Sequence, residues 1–296
     1  MTSPKTLARE AWERLPRPAK AAVKSVWASY ARLTSSGRLL PDYLIIGTQR
    51  GGTTSLYKYL VQHPETAHAL TKEIRFFDQN FERGLGWYRS RFPSAGHRDH
   101  VRRARGTRLV VGEASPDYMF HPHAPGRIAR TLPRAKLIVL LRNPVDRAWS
   151  HYWHQRTRGH ESLPFEEAIA REPERLAGEL ERLMADPSAA SYERHHHSYV
   201  ERGLYAEQLQ TWFGLFPRDR FLIERSEDFF EDPALVFKRV LDFLNLPGFD
   251  PPRYETFNAF AEGTMAPAIR RQLIETFRPH NERLYDLLGR DFGWES

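Results

Sequence analysis

The sequence predicts a single-domain α/β protein, a parallel β-sheet with helices on both faces. Three observations carry this. The segments "DYLIIG" (42–47), "RLVVGEASP" (108–116) and "KLIVLLR" (136–142) each hold an unbroken apolar strand. Segments of helical period lie between them. Turn and cap residues, such as Gly51 with Gly52 and Asn143 with Pro144, mark where strand passes to helix. Strands apolar throughout are covered on both faces, and their alternation with helices is the pattern of a parallel sheet.

The elements follow in order. "DYLIIG" predicts the first strand, and "TTSLYKYLVQHP" a helix stopped by Pro64. "EIRFF" (73–77) predicts a short strand, and "HAPGRIARTLP" (123–133) a helix. "KLIVLLR" is the second strongly apolar strand. In "NPVDRAWSHYWHQR", Asn143 suits an N-cap and Pro144 the first helical position. Residues 164–216 read as helices with loops. "DRFLIER" (219–225) is a strand, "DPALVFKRVLDFLN" a helix, and 267–289 a last helix. No repeat appears, and no low-complexity tract beyond "HHH" (195–197).

Composition sets bounds. The 296 residues are 41% hydrophobic, enough for one large domain. There is no cysteine, hence no disulfide and no thiolate metal site; a reducing, cytoplasmic location is the expectation. No run of some 18 apolar residues predicts a membrane span, and the N-terminus lacks the apolar core of a secretory signal. The net charge of +7 is uneven. Residues 1–40 hold eight Lys and Arg against Glu10 and Glu13, which is +6 of the total. We divide the chain into a basic, loosely helical N-terminal arm (1–40) and a domain (41–296). The arm suits a peripheral helix, or contact with an anionic surface. It matches no nucleic-acid-binding motif.

The stretch "IIGTQRGGTTSLYKYL" (45–60) is a strand, a glycine turn and a helix N-terminus. Unpaired amides and the positive end of the helix make such a turn an anion site. Gly47, Gly52 and Thr54 fit the Walker A spacing, so the sheet reads as P-loop-like. Thr53 occupies the lysine position, and the cation sits at Arg50 instead. The site therefore suits a phosphate rather than a magnesium triphosphate. The plain alternative is a glycine turn that only packs a helix close to a strand. Arg142 ends a second apolar strand, where parallel sheets bind ligands. Ser150 follows Asn143 by about two helical turns and returns to the same face. Arg142 and Ser150 can grip one anion, although a lone arginine there serves equally well as a cap or salt-bridge partner. Together the two elements suggest a ligand with two separated anionic groups.

"GTQRGGTTSL", "KEIRFFD", "GEASPDYMF" and "VLLRNPVDRAWSHY", in this order, resemble the sulfotransferases that use 3′-phosphoadenosine 5′-phosphosulfate (PAPS). The nearest branch is the heparan-sulfate type with its bacterial relatives, and the resemblance spans about residues 41–290. It implies a single sulfotransferase domain on a P-loop-like sheet, PAPS as sulfuryl donor, no metal, and a carbohydrate or small-molecule acceptor. It implies that Arg50, Gly51, Gly52, Thr53 and Thr54 bind the 5′-phosphosulfate, that Arg142 and Ser150 bind the 3′-phosphate, and that Glu73 is the general base. The chemistry agrees: an attacking hydroxyl or amine must lose a proton, and a cation should steady the leaving phosphate. Arg50 is counted with Glu73 as catalytic.

The chain departs from the family pattern at three places. Arg50 stands where lysine is usual; arginine holds an oxyanion bidentately but does not readily give up a proton. Ala114 replaces a lysine of the heparan enzymes. "NAFAEGTMAP" (258–267) stands in place of a Lys-Gly-Arg loop. Among the histidines, His63 reads as a cap, His68 as a residue behind Glu73, and His195–His197 as an exposed turn. The basic stretch 97–108 reads as a solvated face. Two rivals remain at this point: a P-loop kinase-like phosphotransferase using ATP, and a non-catalytic anion-binding module.

Overall fold

The computed structural model describes residues 16–255 and 263–295. The first part of the basic arm (1–15) and the first half of the 258–267 segment (258–262) lie outside the described residues. Among the described residues five strands form one sheet: β1 (Tyr43–Gly47), β2 (Thr66–His68), β3 (Val110–Ala114), β4 (Lys136–Leu141) and β5 (Phe221–Arg225). The order is β2-β3-β1-β4-β5, and every pairing is parallel. The principal helices are α1 (Arg17–Leu33), α2 (Thr53–Leu60), α3 (Ala95–Arg105), α4 (Ala124–Thr131), α5 (Pro144–Arg156), α6 (Tyr192–His196), α7 (Tyr205–Phe213), α8 (Ser226–Glu231), α9 (Pro233–Leu244) and α10 (Pro267–Leu288).

The sheet is covered on both faces, as its apolar strands require. Leu44 and Ile46 face one core with Val111, Val139, Phe76, Tyr88 and Trp212. Tyr43 and Ile45 face the other with Ile138, Leu56, Phe237 and Val240. Alternate residues of one strand thus enter opposite cores. Each fully buried large apolar side chain is worth about 1.5–3 kcal/mol. A third cluster joins Val145, Ala148 and Tyr152 of α5 to Phe165, Tyr199 and Phe277.

One expected strand is absent. Residues 73–77 are irregular, and the edge strand is β2 instead, paired with β3 through Thr66, Ala67 and His68. Glu73 and Arg75 adopt φ of 59° and 55°, which breaks an extended backbone. Phe76 and Phe77 enter the same core, whereas successive strand residues point to opposite faces.

The sheet positions the site. From β1 the chain builds β2 and β3 on one side and then β4 on the other, so the carboxyl end of β1 lies at the switch point. Ligands of open parallel sheets bind there. The segments leaving β1, β3 and β4 are those that carry Arg50, Ser115 and Arg142.

Candidate functional site

The turn after β1 is tied down from below. The Thr48 amide and hydroxyl both donate to Leu140 O, at 2.8 and 2.9 Å, and Ser226 Oγ donates to Gly51 O at 2.9 Å. A Cβ on Gly51 would lie 2.7 Å from Leu140 O. Gly52 has φ of 91°, and a Cβ there would meet the Phe230 ring at 2.9 Å. Both glycines are thus required for close approach, and α2 starts at Thr53 with its first amides unpaired within the helix. Arg50 has φ of 72°, an uncommon backbone for a side chain of this size.

The pair Arg142 and Ser150 meets the loop cation Arg50. Its Nε donates to Ser150 Oγ at 3.0 Å, and its carbonyl accepts from Arg142 Nη1 at 3.1 Å. Asn143 caps α5 as expected, its Oδ1 accepting from the Val145 amide at 3.0 Å, and this sets Ser150 on the inward face. Burial, then the neighbouring Arg142 and Arg158, lowers Arg50 to about 10. Burial likewise lowers Arg142. Two crowded, partly desolvated guanidiniums beside a helix N-terminus make a strong anion site.

These groups line a cleft of about 780 Å³, of the size that holds small-molecule ligands. Arg50, Gly52, Thr53, Thr54, Arg142 and Ser150 lie on it, and so does Glu73. Gly51 packs beneath rather than lining it. The Glu73 carboxylate is 42% exposed and pairs with Lys72 Nζ at 2.7 Å. Its amide donates to Ala114 O at 3.1 Å, continuing the line of β3.

Behind Glu73 lies a charge network that the sequence reading missed. Arg75 Nη2 contacts Asp78 at 2.7 Å and Asp117 at 2.6 Å. Arg202 Nη1 contacts the other oxygen of Asp117 at 2.5 Å. Burial alone would raise Asp117, but Arg75 and Arg202 outweigh it and hold that carboxyl well below its usual range. Ser115 Oγ accepts from the Arg75 amide at 3.2 Å and donates to Glu113 at 3.3 Å. Burial raises Glu113 to about 7, against donated hydrogen bonds from Tyr88 and Tyr118. Asp117 and Arg75 sit inside quoted motifs, but only their mutual contact marks them.

The histidines correct the sequence reading. Residues 195–197 are not an exposed turn. His195 lies between Arg75 and Asp117, at 3.1 and 3.4 Å, and lines the cleft. His196 also lines it, bonded to Gln155 at 2.9 Å and stacked on His160 at 4.0 Å. His197 is buried against Glu193 and the His160 carbonyl. Burial, then Arg50 and Arg158, lowers His154 to about 3, so it is uncharged at neutral pH. Arg158 is a further cation on the cleft beyond the end of α5. His63 is not the expected cap: it lies past the Leu60 end of its helix, its Nδ1 accepting from the Glu65 amide at 3.0 Å and its Nε2 3.0 Å from Pro247 O. His68 ends β2, and its side chain lies outside the described residues. The 97–108 stretch is a largely exposed helix and turn, with Arg98 and Arg108 paired to Asp42.

Among the described residues no group of three or more His, Cys, Asp or Glu side chains could hold a metal ion. No helix among them is long and apolar enough to cross a membrane.

Comparison with known proteins agrees with this geometry. The family described as "Sulfotransferase domain" matches residues 40–261. Heparan sulfate glucosamine 3-O-sulfotransferase 6 of Homo sapiens is 35% identical over 87% of this chain and 74% of that protein. The membrane-associated sulfotransferase kil1 of Dictyostelium discoideum is 28% identical over 87% of this chain and 67% of that protein. The crystal structure of a sulfotransferase from Alicyclobacillus acidocaldarius superposes with a TM-score of 0.65 at 30% identity. It covers 87% of this chain and 100% of that one. With the family match spanning the sheet and the cleft, this chain belongs to the sulfotransferase family and is a sulfotransferase.

Proposed function

We propose that this sulfotransferase moves a sulfuryl group from PAPS to a hydroxyl, or an amine, of a carbohydrate. The observation that carries the reading is the meeting of Arg50, Arg142 and Ser150 at the N-terminus of α2, on the same cleft as Glu73. The glycine cradle and the clustered guanidiniums suit two anionic groups on one ligand. The turn 50–54 would hold the 5′-phosphosulfate, with Arg142 and Ser150 at the 3′-phosphate. PAPS supplies an activated sulfuryl group. Glu73 takes the proton of the acceptor as its oxygen bonds to sulfur and the bond from sulfur to the 5′-phosphate oxygen breaks. Arg50 and the loop amides stabilise the charge left on that phosphate. A carbohydrate acceptor follows from the relatives, one of which is named for heparan sulfate glucosamine.

Calorimetric titration separates this from the ATP-using rival. The bisphosphate product, 3′-phosphoadenosine 5′-phosphate, should bind in the presence of EDTA, and ATP with magnesium should bind much more weakly. Arg142→Ala should cost the bisphosphate one charge-assisted contact pair, on the order of 1.5–3 kcal/mol. Its affinity for adenosine 5′-phosphate should change little. Equal wild-type affinity for both nucleotides would remove Arg142 from the 3′-phosphate.

A second expectation concerns Arg50. Turnover should survive EDTA, and Arg50→Lys should keep more of it than Arg50→Ala, because lysine keeps the charge but loses the bidentate fork. Strict magnesium dependence would point back to a phosphotransferase.

A further inference from the structure

Outside the cleft, the feature that reaches furthest is the outer face of α1. Val26, Tyr30 and Leu33 recur at helical spacing and are 72%, 59% and 86% exposed. Leu85, on the short helix Gly84–Arg89 that packs beside α1, is exposed as well. The C-terminal end of α1 is fastened to the body of the protein: Ala31 is fully buried, and Arg38 Nη1 donates to Phe92 O at 2.8 Å. The apolar stripe is therefore presented outward by a fixed element.

The surroundings are cationic. Residues 16–41 contain no acidic residue, and Lys20, Arg32 and Arg38 are among their cations. Arg83 and Arg91 both lie over the Trp87 ring, at 4.9 and 4.3 Å. Arg32 is carried by α1, which packs beside the Gly84–Arg89 helix that holds Trp87, and burial, then repulsion from Arg83 and Arg32, lowers Arg91. Glu82, next to Arg83 in the chain, is exposed. Exposed large apolar side chains beside clustered cations form the surface of a peripheral membrane helix. A protein partner of mixed charge would leave several of these arginines unmatched.

We propose that the outer face of α1, with Arg32, Arg83 and Arg91 beside it, docks this enzyme on an anionic lipid surface. Val26, Tyr30 and Leu33 would enter the boundary between headgroups and acyl chains. The arginines would meet the lipid phosphates. This docking is independent of the reaction assigned to the cleft.

The test is co-sedimentation of the full chain with phosphatidylcholine vesicles, with and without phosphatidylglycerol. The chain should sediment with the anionic vesicles only, and less as salt is raised. Val26→Ser, Tyr30→Ser and Leu33→Ser combined should weaken binding at least about 10-fold, with the thermal midpoint held. Arg32→Gln and Arg83→Gln should each weaken it about 5-fold. Absence of sedimentation, equal binding to neutral vesicles, or binding untouched by the triple substitution would overturn the proposal. Conversion of a dimer to a monomer by that substitution would assign the face to self-association and overturn it too.

Discussion

Glu73→Gln should lower turnover by ~10²–10⁴-fold, the usual worth of a positioned general base. The change keeps the shape of the side chain and removes its basicity. Affinity for 3′-phosphoadenosine 5′-phosphate should stay within about twofold, because a base engaged only in the transition state contributes to kcat rather than to ground-state binding. Stability should hardly move. The carboxylate is 42% exposed and pairs with Lys72, a surface pair worth about 0–1 kcal/mol. The experiment pairs a rate assay with a binding titration on one preparation. Near-normal turnover would take the base role from Glu73 and give it to another group on the cleft, with His195 the first to try.

Asp117→Asn should destabilise the fold by about 3–5 kcal/mol, the cost of leaving the buried Arg202 without its carboxylate partner. Asp117 and Arg202 are almost fully buried, and Arg75 shares the same carboxylate. Denaturant unfolding reads the loss directly. The double change Asp117→Leu with Arg202→Met should be milder than Asp117→Asn alone, since it removes a charge together with its partner. The pH dependence has a definite sign. The folded carboxyl lies well below its ordinary value, so its contribution is complete above the unfolded value. It is lost as pH falls through the folded value. Acid below about pH 4 should therefore weaken the wild type more steeply than Asp117→Asn. Parallel acid curves for the two proteins would show that Asp117 is not held by these arginines.

The two variants separate chemistry from scaffold. Asp117 itself lines the active cleft and holds Arg75, whose amide is fixed by Ser115 and whose backbone is left-handed. Loosening that network should move the 73–78 segment and with it Glu73. Strained backbone of this kind at positions 50, 73 and 75 persists only where surrounding contacts enforce it, and all three residues line the cleft.

The sequence by itself determined the sheet, because residues 43–47, 110–114 and 136–141 are apolar at nearly every position the two cores need, the buried Glu113 excepted. It determined the anion loop, because close approach at Gly51 and a left-handed φ at Gly52 require glycine. It also placed Ser150 on the inward face of α5, through the cap at Asn143 and the period of the helix. Those are local properties, written in composition and spacing.

What needed the tertiary structure was long-range. The segment 73–77 reads as a strand until its backbone is seen to turn at Glu73 and Arg75, where the contacts of Ala114, Ser115 and Asp117 outweigh local propensity. His195 and His196 lie some 120 residues from Arg75 in the chain, yet they join the same cleft. Arg202 meets Asp117 across 85 residues. Such pairings are set by how helices pack on the sheet, and a charged or imidazole side chain carries no periodic signal of its partner. The sequence therefore disclosed the phosphate loop and the strand-end arginine, while only the packed chain decided which buried charges hold Glu73 in place.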